Sequence, residues 1–411
     1  MQATNISAWV RGHNGRITIA TGLGVAFLLL LTLGHQSGQA AQFYGLRNAA
    51  LSMQDGHNAY TGGGGFYGVP LPWVLIGFLS WAPRVPADFG YYAWIALSVL
   101  AVMGAGMLLA AGLGWMSSRQ AVLLLTLSPA AVIGYEAGWM DALLLFLVVG
   151  ALVLAQDQRY GWSGALAAMA VGINVGLMWP LLVFLPLSLW SDRGSAIRVL
   201  WAEIVTISAY AVVPMIWYPN WLSNWAGRST ILAPSARGGV GRLGLSGALM
   251  GLRGVWGVGG TGGGLVIALG LGVGLGLMGV VAYFLWRGFA KDSPILDRVL
   301  LGSLMPLTVW FLVSPYASTA DLLLLAPLAL WGINQRRMHR HPRLQPLFLI
   351  ALLLPAVTLS GSSLVVALVS SMAAGLLLVV SILEIRLCGV PAANVETPIE
   401  MVVDSAPVCS Q

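Results

Sequence analysis

Residues Leu364–Leu383 read LVVALVSSMAAGLLLVVSIL, an unbroken run without a charged side chain. About 20 apolar residues are what a helix needs to cross the roughly 30 Å of bilayer hydrocarbon. Similar runs, including Ile17–Leu33 and Leu97–Ala111, recur along nearly the whole chain. Of 411 residues, 58% are hydrophobic and only 8% charged, at a mean hydropathy of +0.84. Soluble domains carry about 25% charged residues, so this surface is built to face lipid. Backbone polar groups inside hydrocarbon must be satisfied within the chain, and long uninterrupted apolar runs do that as helices rather than as barrel strands. The fold class expected is all-α, a polytopic integral membrane protein of about twelve spans.

Charge in the loops orients the chain. Asn334–Arg343 holds Arg336, Arg337, Arg340 and Arg343 with no acid, the strongest cytoplasmic marker by the positive-inside rule. Arg287–Arg298, Ser191–Arg198, Gln156–Tyr160, the Arg119 turn and the N-terminus are further cytoplasmic candidates. The proline-bearing stretch Phe66–Pro83 is barely long enough to cross. If it crosses, Arg119 and Arg159 fall outside; if it re-enters or lies at the interface, every basic loop falls inside, and that reading is preferred. The expected spans are then 17–34, 91–113, 119–135, 139–156, 160–174, 176–190, 199–217, 264–286, 299–315, 319–333, 345–360 and 364–383, with both termini cytoplasmic. The first span follows Arg11 and Arg16 like a signal peptide, but no clean small-x-small cleavage site follows a short apolar region, and it reads as a retained anchor. Residues 1–386 form one helical domain, and 387–411, with Glu396, Glu400, Asp404, Pro and Ser, reads as a disordered cytoplasmic tail.

Two large outer loops remain, about 35–90 and 218–263. In the first, Phe43, Leu46, Ala50 and Met53 recur at helical spacing while Gln42, Arg47, Asn48 and Gln54 face elsewhere, the pattern of a helix lying on the membrane surface. The second contains Arg228, Arg237, Arg242 and Arg253 and no Asp or Glu. Arginines on the translocated side run against the trend of the rest of the chain. They suit a phosphate ligand, which the guanidinium fork matches; contact with lipid headgroups, or a loop on the cytoplasmic side, would also account for them.

The outer face carries few acids: Asp55, Asp88, Glu136, Asp141 and Asp321. Asp141 and Asp321 stand where helix N-caps are expected, a structural role. Yet Glu136, Asp141, Asn174 and Asp321 map to one side of the membrane, and convergent polar groups there suggest a site. His57 has no companion on that face except His35, and Cys388 and Cys409 both fall near the C-terminus, so neither a metal site nor a disulfide framework is expected. No nucleotide loop, nucleophile elbow or basic nucleic-acid domain is present. Membrane lipids are the partners that the composition implies.

The order of several weak motifs resembles the GT-C membrane glycosyltransferases, and most closely glycosyltransferase family 87, the polyprenol-phosphate-mannose-dependent mannosyltransferases. Gln42-Phe43-Tyr44, Ala49, Gly56 and Tyr60, then Tyr67 and Pro70-Leu71-Pro72, stand at offsets similar to those after that family's first span. Ser128-Pro129 and Gly138-Trp139-Met140-Asp141, Gly164 to Asn174 with Pro180, and Ser314-Pro315-Tyr316 with Asp321 through Leu325 follow in the same order. The resemblance implies a bacterial inner-membrane hexosyltransferase that uses a polyprenyl-phosphate-linked sugar, with no other cofactor, on a lipid-linked or polysaccharide acceptor at the outer face. It aligns Gln42 with the family's catalytic Asp and Asn174 with its Lys. Gln cannot take a proton from a hydroxyl, so Asp55 is the expected base. Arg228, Arg237 and Arg242 are expected at the donor phosphate, and Tyr44, Tyr60, Tyr67, Glu136, Asp141, Asn174, Tyr316 and Asp321 at the substrates. Gln42 and Asn174 equally fit a non-catalytic translocase or assembly subunit for lipid-linked glycans, although no internal repeat or chain of mid-span charges marks a coupled transporter.

Overall fold

A computed structural model of the chain describes residues 24, 41–55, 57, 84–113, 118–138, 140–216, 218–228, 272–283, 295–314, 317, 320–333, 344–356 and 363–388. Every regular element among them is helical, as the apolar runs required. In chain order the α-helices are α1 (Ala41–Gln54), α2 (Ala87–Leu113), α3 (Ser118–Thr126), α4 (Pro129–Ala137), α5 (Asp141–Gln156), α6 (Tyr160–Ile173), α7 (Val175–Met178) and α8 (Pro180–Ser188). They continue as α9 (Arg193–Val212), α10 (Trp221–Arg228), α11 (Gly272–Tyr283), α12 (Ile295–Val313), α13 (Ala326–Ile333), α14 (Gln345–Leu353) and α15 (Ser363–Cys388). Short 3₁₀ helices, Val213–Ile216 and Ala320–Leu325, extend α9 and lead into α13.

Among the described residues three helices are long and apolar enough to cross a membrane alone: Ala87–Gly112, Arg193–Ile216 and Ile295–Val313. Shorter apolar helices occupy other stretches that the sequence suggested as spans, among them Asp141–Gln156, Tyr160–Ile173 and Gln345–Ala356. The expected single span 119–135 is instead two helices bent by 53°. Pro129 has no N–H and disfavours helix in the residue before it. Ser128 accordingly takes an extended conformation and caps α4, its Oγ accepting from the Ala131 N–H at 3.3 Å and donating to the Leu125 carbonyl at 2.8 Å.

Side-chain contacts sort the helix ends into two sets. At one end Gln156 Nε2 donates to the Gly112 carbonyl at 2.9 Å, an Arg298 guanidinium nitrogen donates to Ser191 Oγ at 2.7 Å, and Trp331 Nε1 donates to Asp297 Oδ1 at 3.1 Å. This is the end of the Arg119, Arg159 and Ser191–Arg198 turns. At the opposite end Tyr91 Oη donates to the Glu136 carbonyl at 2.8 Å and Trp310 Nε1 to the Gly176 carbonyl at 3.0 Å. Helices α2 and α5 therefore run parallel, α6 returns antiparallel to α5, and α12 runs antiparallel to α8.

Where helices touch most closely, a glycine stands at the crossing. A Cβ at Gly106 would lie 3.0 Å from Val122 Cα, and one at Gly302 would lie 2.7 Å from Ser188 Cβ. Gly164 on α6 is tighter still: a Cβ there would run into the Val199 carbonyl of α9 and stand 3.1 Å from Ala202 Cβ. Small residues at such crossings let backbones approach where lipid supplies no hydrophobic drive. Gly161, one turn earlier, has open space around it. We predict that Gly164→Val forces α6 and α9 apart and lowers thermal stability in detergent by about 1–3 kcal/mol, the usual cost of overpacking, while Gly161→Ala leaves the midpoint unchanged or slightly raised.

Candidate active site

The end of the bundle opposite the basic turns gathers the acidic and amide side chains that the sequence placed on the outer face. Asp141 is the first residue of α5 and is 2% exposed; Met140, not Asp141, holds the N-cap position. Asp321, fully buried, is the second residue of the 3₁₀ helix Ala320–Leu325 rather than a cap. Both therefore depart from the N-cap role. A carboxylate at the first turn of α5 still gains from the helix dipole, but burial of a capping-type acid in a bundle is not what solvent-facing caps do. The 3₁₀ helix packs against both α4 and α5, with Ala320 Cβ 3.9 Å from where a Cβ on Gly134 would stand. Asp321 and Asp141 thus belong to touching elements.

Glu136 is half-buried near the end of α4. Tyr91, buried on α2, ties this segment down by donating to the Glu136 carbonyl, with the Tyr135 carbonyl at 3.3 Å. Asn174 is half-buried at the break between α6 and α7, where its Oδ1 accepts from the Leu177 N–H at 3.3 Å. It is an N-cap, and a lysine in this position would cap nothing. Because α6 returns along α5, this break lies at the same end as Asp141.

Helix α1 closes over this end. Its apolar face is buried, with Phe43, Leu46, Ala49 and Ala50 all 4% exposed or less. This corrects the expectation of a helix lying on the membrane surface: the amphipathic pattern is real, but its apolar side meets protein. Phe43 sits among Tyr44, Tyr91 and Trp94, ring centroids 5.5, 5.7 and 6.3 Å away. Beneath it lies Gly138, the left-handed C-cap of α4 at φ 71°, where a Cβ would stand 2.7 Å from Phe43 Cβ and 3.0 Å from its backbone N. The Gly in Gly138-Trp139-Met140-Asp141 therefore serves twice, ending α4 and letting α1 approach. Tyr44, half-buried, has its Oη 3.4 Å from Asp88 Oδ1.

Gln42 lies in the first turn of α1, and Asp55 and His57 are exposed just past its end. Arg228 is the last residue of α10. Arg237, Arg242, Tyr60, Tyr67 and Tyr316 lie outside the described residues. Among the described residues no group of three or more His, Cys, Asp and Glu side chains could hold a metal ion. Sequence reasoning passed over Tyr91, whose role shows only when α2 and α4 meet; a tyrosine opening an apolar span gives no signal of its own.

The family model of glycosyltransferase family 87 matches residues 66–315. The chain belongs to glycosyltransferase family 87. No curated protein and no solved structure matches it. Family membership makes this a membrane glycosyltransferase and bears out the resemblance read from motif order. The family 87 match takes in Glu136, Asp141, Asn174 and the arginine loop, while Gln42, Asp55, Tyr316 and Asp321 fall outside it.

If α1 is seated by the glycine, replacing either partner should disturb the site without unfolding the bundle. Phe43→Ala is predicted to cost about 3–5 kcal/mol, as for other buried aromatics. Gly138→Ala should cost about 1–2 kcal/mol from the left-handed backbone alone, plus the contact. Limited proteolysis within 41–57 should speed up in both variants, and transferase activity should fall with it.

Proposed function

We propose that this family 87 chain is a bacterial inner-membrane enzyme of about twelve spans, with both termini cytoplasmic, that transfers mannose or a similar hexose. The donor is a polyprenyl-phosphate-linked sugar and the acceptor a lipid-linked glycan or polysaccharide at the outer face. What carries this reading is the gathering of Glu136, Asp141, Asn174 and Asp321 at one end of a bundle whose residues 66–315 match a glycosyltransferase family. A sugar offers many hydroxyls, and convergent carboxyl and amide groups are what bind and orient them.

In this reading the acceptor hydroxyl oxygen attacks the anomeric carbon as the bond from that carbon to the phosphate oxygen breaks, with inversion. The phosphate leaves with the bonding electron pair, and the hydroxyl proton passes to a carboxylate. Asp55 is that base: it is exposed, and it follows directly on the helix that covers the site. Arg228, Arg237 and Arg242 offset the charge developing on the departing polyprenyl phosphate. Tyr44, Tyr60, Tyr67, Glu136, Asp141, Asn174, Tyr316 and Asp321 hold the donor sugar and acceptor.

A second reading, a non-catalytic translocase or assembly subunit, is favoured by one observation: Gln42 stands where the resemblance places an acid. The two readings separate in a transfer assay with purified protein in bilayers and a polyprenyl-phosphate hexose. Transfer by the wild type, reduced by about 10²–10⁴-fold in Asp55→Asn as expected for loss of a general base, supports the enzyme and its base. Retained activity in Asp55→Asn with loss in Asp141→Asn or Asp321→Asn moves the base to the buried pair. Absence of turnover from every donor, with polyprenyl phosphate still bound, favours the translocase.

A further inference from the structure

Helix α9 is the span whose surface the rest of the described protein covers least, yet it carries a buried acid. Leu200, Trp201, Ile204 and Val205 point outward, each more than 40% exposed, while Ser195, Ala196, Val199 and Glu203 form the buried stripe against α6. Glu203 is 2% exposed, and neither of its carboxyl oxygens has a hydrogen-bond partner among the described residues. It stands about 6 Å into the expected span 199–217, at 1.5 Å of rise per residue, on the Arg193–Ile216 helix that is long and apolar enough to cross a membrane.

Among the described residues nothing charged faces it. Neither α6 nor α8, the α-helices packed on α9, has a charged side chain, and Tyr160 at the start of α6 is their one titratable group. On α9 itself Arg193 and Arg198 are exposed near the basic end, and Tyr210 is half-buried toward the other. An unpaired carboxylate in such surroundings is far more costly than the neutral acid. The Gly164 crossing one turn away holds α6 and α9 too close for a hydrated charge between them.

We propose that Glu203 is a proton-binding site within a membrane-crossing helix, a neutral carboxylic acid set into the α6–α9 interface and separate from the sugar-transfer site. Acids deep in spans face the bundle interior and mark proton sites or pathways rather than surface decoration.

The test uses the full chain in lipid bilayers with carbon-13 at the side-chain carboxyl of glutamate only. Its infrared spectrum at neutral pH should contain a carboxylic-acid C=O stretch that shifts with the label and disappears in Glu203→Gln. Labelled glutamates that show only carboxylate bands in the wild type would overturn the proposal, as would an acid band that survives in Glu203→Gln. Should Glu203→Gln fail to fold, Glu203→Asp serves in its place: it keeps an acid there but removes the glutamate label, so the shifted band should vanish.

Discussion

Hydrocarbon gives neighbouring helices no hydrophobic reason to associate, and this protein meets that constraint with backbone contact at glycine. Gly106 against Val122, Gly164 against the Val199 carbonyl, Gly302 against Ser188 and Gly332 against the Phe348 ring are crossings where a side chain would occupy space already taken. The 52 glycines of the chain look at first like flexibility. Several are instead the points at which the bundle is closed. Gly138 extends the same device to the site, leaving the room in which α1 comes down onto α4.

The all-helical class and most helix positions were legible because apolar periodicity and length are strong signals in a membrane protein. What misled was context. The stretch Phe43 to Met53 has an amphipathic face whether it meets lipid or protein, and only the presence of Gly138 beneath Phe43 decides between them. The span 119–135 had sufficient hydrophobicity for one helix, but Ser128-Pro129 breaks it, and the same pair that supported the family resemblance is a capped helix start. Asp141 and Asp321 stand at span ends where caps are expected; with Met140 at the N-cap, a shift of one residue makes Asp141 a buried first-turn acid, and Asp321 falls inside its 3₁₀ helix.

The motif order that pointed to family 87 acquires a physical meaning here. Ser128-Pro129 starts α4, Gly138 ends it and seats α1, and Asn174 starts α7. These are boundary residues that fix where helices stop at one end of the bundle, and the acids gathered there inherit their positions from those stops. Gln42 sits on the helix that covers the same end, one residue before the aromatic ring that anchors it.

The central claim, that sugar transfer takes place at this end of the molecule, is tested most directly by mass spectrometry of lipid-linked glycans and surface polysaccharide after deletion and restoration of the gene. The account predicts accumulation of a glycan lacking one defined sugar, reversed by the intact gene. A complete glycan trapped on the cytoplasmic side would contradict it and assign the protein to transport.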